Sequence, residues 1–190
     1  MEEKLNTCSI NYSITFYSQW HCGSGLSAGA DIDELVVKDK NGMPYIPGKT
    51  LKGLIREAAE NYVKLSGNKE AKELVSTTFG SGLFSESILA GCAHFGNAVL
   101  CEKEYSAIVG NNAQRYLYNK VTTTAIGNDG IAKDHSLRST EVVIPCTLHA
   151  AITDVPQEMR NVIINCFGLI KRLGQKRNRG LGRCDIKEEA

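Results

Sequence analysis

The sequence predicts an α+β fold on three observations. Apolar and polar residues alternate at period two in well-separated segments, and apolar residues recur at helical spacing in two others. These segments follow the order strand, helix, strand, strand, helix, strand, which is that of a ferredoxin-like (RRM-like) βαββαβ sandwich. The chain has 190 residues, 42% hydrophobic and 23% charged. That is enough for one well-buried domain over 1–190 and too little for two complete ones, so the expectation is a single domain carrying insertions.

Cys8, Ile10, Tyr12, Ile14 and Phe16 alternate with polar residues, predicting a first strand to about Tyr17. A long loop follows. From Gly48 the period changes: Leu51, Leu54, Ile55, Ala58, Ala59, Tyr62 and Val63 share one helical face, and Ser66-Gly67-Asn68 supplies the stop. The apolar stretch at Ala98, Val99 and Leu100 predicts a second strand over Gly96–Glu102. Lys103–Thr140 is polar and turn-rich and reads as an excursion from the core. Ile144, Cys146, Leu148, Ala150 and Ile152 then alternate as a third strand, with Pro145 on the opposite parity as a sign of an edge or bulge. Asp154, followed three residues later by Gln157, predicts a capped second helix whose buried side is Met159, Val162, Ile163, Cys166, Phe167, Ile170 and Leu173. Cys184–Lys187 is expected to close the sheet.

Two basic, glycine-punctuated segments stand near opposite ends of the chain: Pro-Gly-Lys-Thr-Leu-Lys-Gly at Pro47–Gly53 and Arg-Asn-Arg-Gly-Leu-Gly-Arg at Arg177–Arg183. Glycine lets a backbone approach a ligand closely, and cations without acidic neighbours suit phosphate. The net charge is only +1, yet Lys171–Arg183 holds six Lys or Arg and no Asp or Glu. Lys49, Lys52 and Arg56 share a face at the amino end of the first helix, where the helix dipole adds positive potential. The expected ligand is a polyanion, RNA in the first place, held by Lys49, Thr50, Lys52, Arg56, Lys176, Arg177, Arg179 and Arg183. Gly48-Lys49-Thr50 is not a nucleotide P-loop: Gly42 lies one residue too far back, and Pro44 and Pro47 remove two backbone donors.

Gly23-Ser-Gly25, Ala-Gly-Ala-Asp31-Ile-Asp33, Val36-Val-Lys-Asp39, Pro44-Tyr-Ile-Pro-Gly48, Leu51-Lys-Gly53 and the late Gly180-Leu-Gly182 loop together resemble RAMP-superfamily CRISPR-associated proteins, and among them the repeated backbone subunits of type III effector complexes. Thr122–Ile126 and Leu137–Val142 resemble the stretch before the third strand of such subunits, so the resemblance covers nearly the whole chain. It implies a palm that packs beside other copies, or related backbone subunits, along a crRNA guide within a complex of other type III effector subunits. It also implies a thumb within about 103–140 that wedges between guide and target RNA, with Lys120 and Arg138 on phosphates.

In that family, members that cut target RNA use an aspartate after the first strand. The resemblance places Asp33 there, with Asp31 as the rival. Asp33 would hold a divalent metal, Mg2+ in the first place, beside a phosphate attacked by the RNA's own 2′-hydroxyl. The competing readings are an Asp that only caps a turn, which leaves an inactive crRNA-binding scaffold, and a stand-alone repeat-processing ribonuclease driven by histidine. His21, beside Cys22, is the histidine best placed for the latter. The seven cysteines are scattered without a C-x-x-C pair and are expected to be reduced, mostly in the core, and Cys92 with His94 is too small a set for zinc. No apolar run approaches the ~20 residues that span a bilayer, and Met-Glu-Glu-Lys at the start is no secretory leader. A cytoplasmic protein without membrane partners is the expectation.

Overall fold

A computed structural model describes residues 6–29, 31–67, 69–80 and 89–189. Strand β1 (Thr7–Phe16) buries Ile10, Tyr12, Ile14 and Phe16 and turns the intervening polar residues away, so the period-two pattern becomes one covered face. Helix α1 (Gly48–Ser66) buries Leu51, Ile55, Ala58, Ala59 and Val63, and ends where Gly67 takes the left-handed conformation at φ +69°. The stop signal fell on Ser66-Gly67-Asn68, of which Asn68 lies outside the described residues.

A second helix, α2 (Lys69–Phe79), adds buried Val75 and Phe79 behind α1. Strand β2 (His94–Phe95) is short, and α3 (Glu102–Gly110) follows with no fully buried residue. β3 (Tyr118–Thr123) and β4 (Arg138–Val143) form a separate antiparallel pair. β5 (Thr147–Pro156), α4 (Gln157–Phe167) and β6 (Cys184–Glu189) complete the chain. The main sheet runs β2-β5-β1-β6, antiparallel throughout. The core elements β1, α1, β2, β5, α4, β6 therefore keep the strand, helix, strand, strand, helix, strand order. The Tyr12 ring of β1 meets Phe167 of α4 at 5.0 Å between centroids, which places that helix against the sheet's buried face.

Four boundaries differ from the sequence reading. The second strand starts earlier, at His94, and is interrupted at Gly96 and Asn97; Ala98 and Val99 pair only as single bridges, with Ile46 and His149. The third strand begins at Thr147, after Ile144 and Cys146, and runs on through Asp154 to Pro156. Asp154 therefore sits in the strand at φ +57°, with its carboxylate accepting from the Thr153 hydroxyl, and α4 starts at Gln157 behind Pro156 without a side-chain cap. Ile170 and Leu173 are buried as expected but lie past the end of α4. The seven cysteines are all free, with Cys22, Cys166 and Cys184 buried and Cys92 exposed. Among the described residues no helix is long and apolar enough to cross a membrane.

Candidate nucleic-acid interface

The start of α1 is pinned from behind. Gly48 N–H donates to Asn97 Oδ1 at 2.8 Å, and a Cβ on Gly48 would lie 2.0 Å from the Phe95 carbonyl oxygen. The glycine is thus required by close backbone packing, not by a ligand as its motif suggested. Pro47 offers no capping side chain and the first turn holds no acid, while the Lys49 N–H has no partner among the described residues. An uncapped, acid-free helix start with an open amide is the local chemistry of an anion site.

The late loop is anchored just as firmly at its ends. Leu173 N–H donates to the Gly182 carbonyl (2.8 Å), Gly182 N–H to the Gln19 carbonyl (2.8 Å) and Gln175 N–H to the His21 carbonyl (2.8 Å). A Cβ on Gly182 would meet the Leu173 carbonyl oxygen at 1.9 Å, so this glycine too serves packing. Between the anchors, Arg177–Arg179 make one exposed 3-10 turn. Two glycines behave differently: around Gly53 and Gly180 an added Cβ would meet nothing within 4 Å.

The two basic turns face each other. Lys49, Thr50 and Gly53 of α1 and Gly174, Gln175 and Arg177 of the loop line one cleft of about 390 Å³, with His21, Cys22 and Gly23 completing its wall. Burial raises the Cys22 thiol, and the Lys49 ammonium across the cleft pulls it partly back. A longer cleft of about 750 Å³ shares Leu54, Glu57 and Arg177 with the first and continues along α1 past Lys171 and Arg172. Among the described residues, Lys49, Lys52, Arg177, Arg179 and Arg183 have no acidic partner within 4 Å. Arg56 instead pairs with Glu60 at 2.7 Å and faces the groove between α1 and α2.

Asp33 and Glu34 line the adjoining cleft, which shares His21, Gly23 and Gln175 with the basic one. Both aspartates are exposed, but only Asp33 lies in its lining. Asp33 Oδ2 accepts the Ser139 N–H at 2.7 Å, and Oδ1 lies 3.7 Å from the Arg138 guanidinium. Arg138 and Asp33 are thereby brought together, while Lys120 stands exposed on β3, opposite Glu141. His21 is fully buried, its Nδ1 2.6 Å from the Glu141 carbonyl oxygen, and its Nε2 is buried without a partner.

A family model described as the RAMP superfamily matches residues 13–185. The chain belongs to the RAMP superfamily. No curated protein matches it at a significant level. The RAMP fold recurs in a chain of the cryo-EM structure of type III-B Cmr-beta bound to cognate target RNA, with TM-score 0.71, 13% identity, and 97% of this chain and 98% of that one covered. The cryo-EM structure of type III-B Cmr-beta in the apo state matches at TM-score 0.70 and 13% identity, over 95% of this chain and 96% of that one.

Within this RAMP chain the sequence missed the residues that hold the carboxylate loop. Glu141 is buried and accepts from Val36 N–H (3.0 Å) and Lys38 Nζ (2.8 Å); Lys38 also lies 3.9 Å from the Tyr118 ring centroid. Lys176 lies 2.5 Å from Glu34 and reaches Thr140 Oγ1. Lys176 and then Thr140 hold the Glu34 carboxyl below its usual range. Composition gave little signal: four of the six residues of β4, Arg138, Ser139, Thr140 and Glu141, are polar, and three of these are buried through partners distant in sequence.

Proposed function

We propose that the chain is a crRNA-binding backbone subunit of a type III CRISPR effector complex. Its two basic turns grip the guide's sugar-phosphate track, and Asp33 serves cleavage of the bound target RNA. The observation that carries this reading is the shared cleft: cations far apart in sequence line one groove, with the Asp33 cleft adjoining. The β3–β4 hairpin, with Lys120 and Arg138, serves as the thumb of the 103–140 insertion. Its partners are crRNA, target RNA, further copies or related backbone subunits, and other type III effector subunits.

Among the described residues no three His, Cys, Asp or Glu gather as a metal-binding group. The Asp33 carboxylate lines the cleft, and Mg2+ takes one or two carboxylates and fills its remaining positions with water and substrate phosphate. When bound at Asp33, Mg2+ would offset charge building on the scissile phosphate. The chain's own part is to hold the Asp33 carboxylate at the cleft through Ser139 and Arg138. The target's 2′-hydroxyl gives its proton to water as its oxygen bonds to phosphorus and the bond to the 5′-oxygen breaks. The leaving 5′-oxygen takes a proton from water, which yields a 2′,3′-cyclic phosphate and a 5′-hydroxyl.

A scaffold without cutting activity is the second reading, and one observation favours it: both Asp33 oxygens already face a donor. The two separate in assembled complexes given target RNA and magnesium. Asp33→Ala is expected to lower cutting at the regularly spaced sites by about 100-fold or more while guide binding stays, and Asp31→Ala to cut normally. Intact target with wild-type complex supports the scaffold. Cutting by Asp33→Ala at the wild-type rate ends the catalytic assignment, and repeat-RNA cleavage in EDTA by the lone chain would favour the processing ribonuclease.

A further inference from the structure

We propose that Lys176 is a positioning residue: it holds no phosphate, but locks the Asp33 segment to the basic glycine loop through Glu34. The proposal rests on the guide-binding and Asp33 readings above and gives the two sites a mechanical connection.

Lys176 differs from its basic neighbours. Its side chain is 20% exposed, whereas Arg177 and Arg179 beside it are exposed. It adopts φ +54°, a left-handed conformation that a residue with a Cβ rarely takes. With the backbone so turned, the ammonium meets Glu34 Oε2 at 2.5 Å and also the Thr140 hydroxyl. Thr140 Oγ1 in turn donates to the same Glu34 oxygen at 2.8 Å. Three segments distant in sequence thus close on one carboxylate.

Glu34 is the residue after Asp33, and the stretch around both is zipped to β4. Asp33 N–H donates to the Ser139 carbonyl at 2.9 Å, Glu141 N–H to the Glu34 carbonyl at 2.9 Å, and Val36 N–H to the Glu141 carboxylate at 3.0 Å. Lys176 extends that zipper to the loop whose next residue, Arg177, lines the basic cleft. A cation already neutralised and largely withdrawn from water has little counterion to release to RNA. Its removal would instead leave Glu34, one residue from Asp33, held by the Thr140 hydroxyl without a cation. Guide held by the loop and carboxylate placement at the target are therefore linked through one ion pair.

The test uses the full chain with a fluorescein-labelled single-stranded guide RNA, and the assembled complex for cutting. Lys176→Met should leave guide affinity within about twofold and its salt dependence unchanged, whereas Arg177→Met should flatten the slope of log K against log salt by about 0.7. In Lys176→Met, and likewise in the gentler Glu34→Gln, amide hydrogen exchange over residues 31–38 should accelerate at least tenfold and single-turnover cutting should fall. Lys176→Arg should restore both. If Lys176→Met flattens the salt slope as Arg177→Met does and leaves exchange at 31–38 unchanged, the proposal is overturned. Should the wild-type chain bind no guide at all, the function proposed above fails, and exchange alone then decides the lock: protection at 31–38 that survives both substitutions overturns it.

Discussion

Gly53 offers the sharpest separation of a folding role from a binding role. It lies inside α1, where glycine costs about 0.5–1 kcal/mol relative to alanine, and a Cβ there would meet nothing within 4 Å. Gly53→Ala is therefore expected to stabilise the protein by about 0.5–1 kcal/mol, or roughly 1–4 °C in melting temperature for a chain of this length. The added methyl nevertheless faces the cleft between Lys49 and Arg177. If RNA backbone packs against that floor, guide affinity should fall about 5- to 10-fold, equivalent to about 1–1.4 kcal/mol, in the more stable variant. Thermal denaturation and fluorescence anisotropy on one preparation read both effects. A variant that melts higher and binds guide as well as wild type would refute the close approach. One that melts lower would refute the open geometry at Gly53.

Gly182→Ala should do the opposite, because φ +71° and a Cβ 1.9 Å from the Leu173 carbonyl oxygen leave no relaxed position. A loss of at least about 2 kcal/mol in urea titration is expected, and a neutral result would contradict the loop's anchoring. Burial counters the ionisation of Asp39, but the Tyr105 hydroxyl and the amides of Met43 and Asn41 outweigh it and hold the carboxyl below its usual range. Its stabilisation is therefore present above the unfolded value near about 4 and lost as pH falls through the lower folded value. Asp39→Asn should unfold with a shallower acid limb, and an unchanged limb would remove Asp39 from the account. Burial raises the thiols of Cys166 and Cys184 to about 11, whereas Cys92 is exposed. Iodoacetamide near pH 7.5 should label Cys92 well before those two, and equal labelling in the folded chain would contradict the packing.

The elements that read well from sequence are those whose periodicity is enforced by one buried face. β1 alternates because its even residues enter the core, and α1 stops where Gly67 alone can turn left-handed cheaply. α2 did not lack a signal, since Ala71, Leu74, Val75 and Phe79 recur at helical spacing in the sequence, whereas α3 escaped notice because it buries no residue fully. β4 escaped for the converse reason. Ser139, Thr140 and Glu141 are buried through hydrogen bonds to residues 33–36, and polarity alone cannot reveal partners so distant in sequence. Asp154 matched a capping pattern, yet β5 reached past it before the helix began. At the site, the two basic turns were legible because charge and glycine spacing are local properties. The Arg56–Glu60 pair was legible from its i, i+4 spacing, but that Lys176 is neutralised by Glu34 was not, since those two meet only in the folded chain.

The central claim is that two cationic turns share one RNA track, and the salt dependence of guide binding tests it most directly. With Lys49, Lys52, Arg177, Arg179 and Arg183 all on phosphates, log K should fall against log salt with a slope of about −3.5 for single-stranded RNA. Lys49→Met and Arg177→Met should each flatten it by about 0.7, and the double variant by about 1.4. A slope near zero, or one that neither substitution moves, would contradict the account.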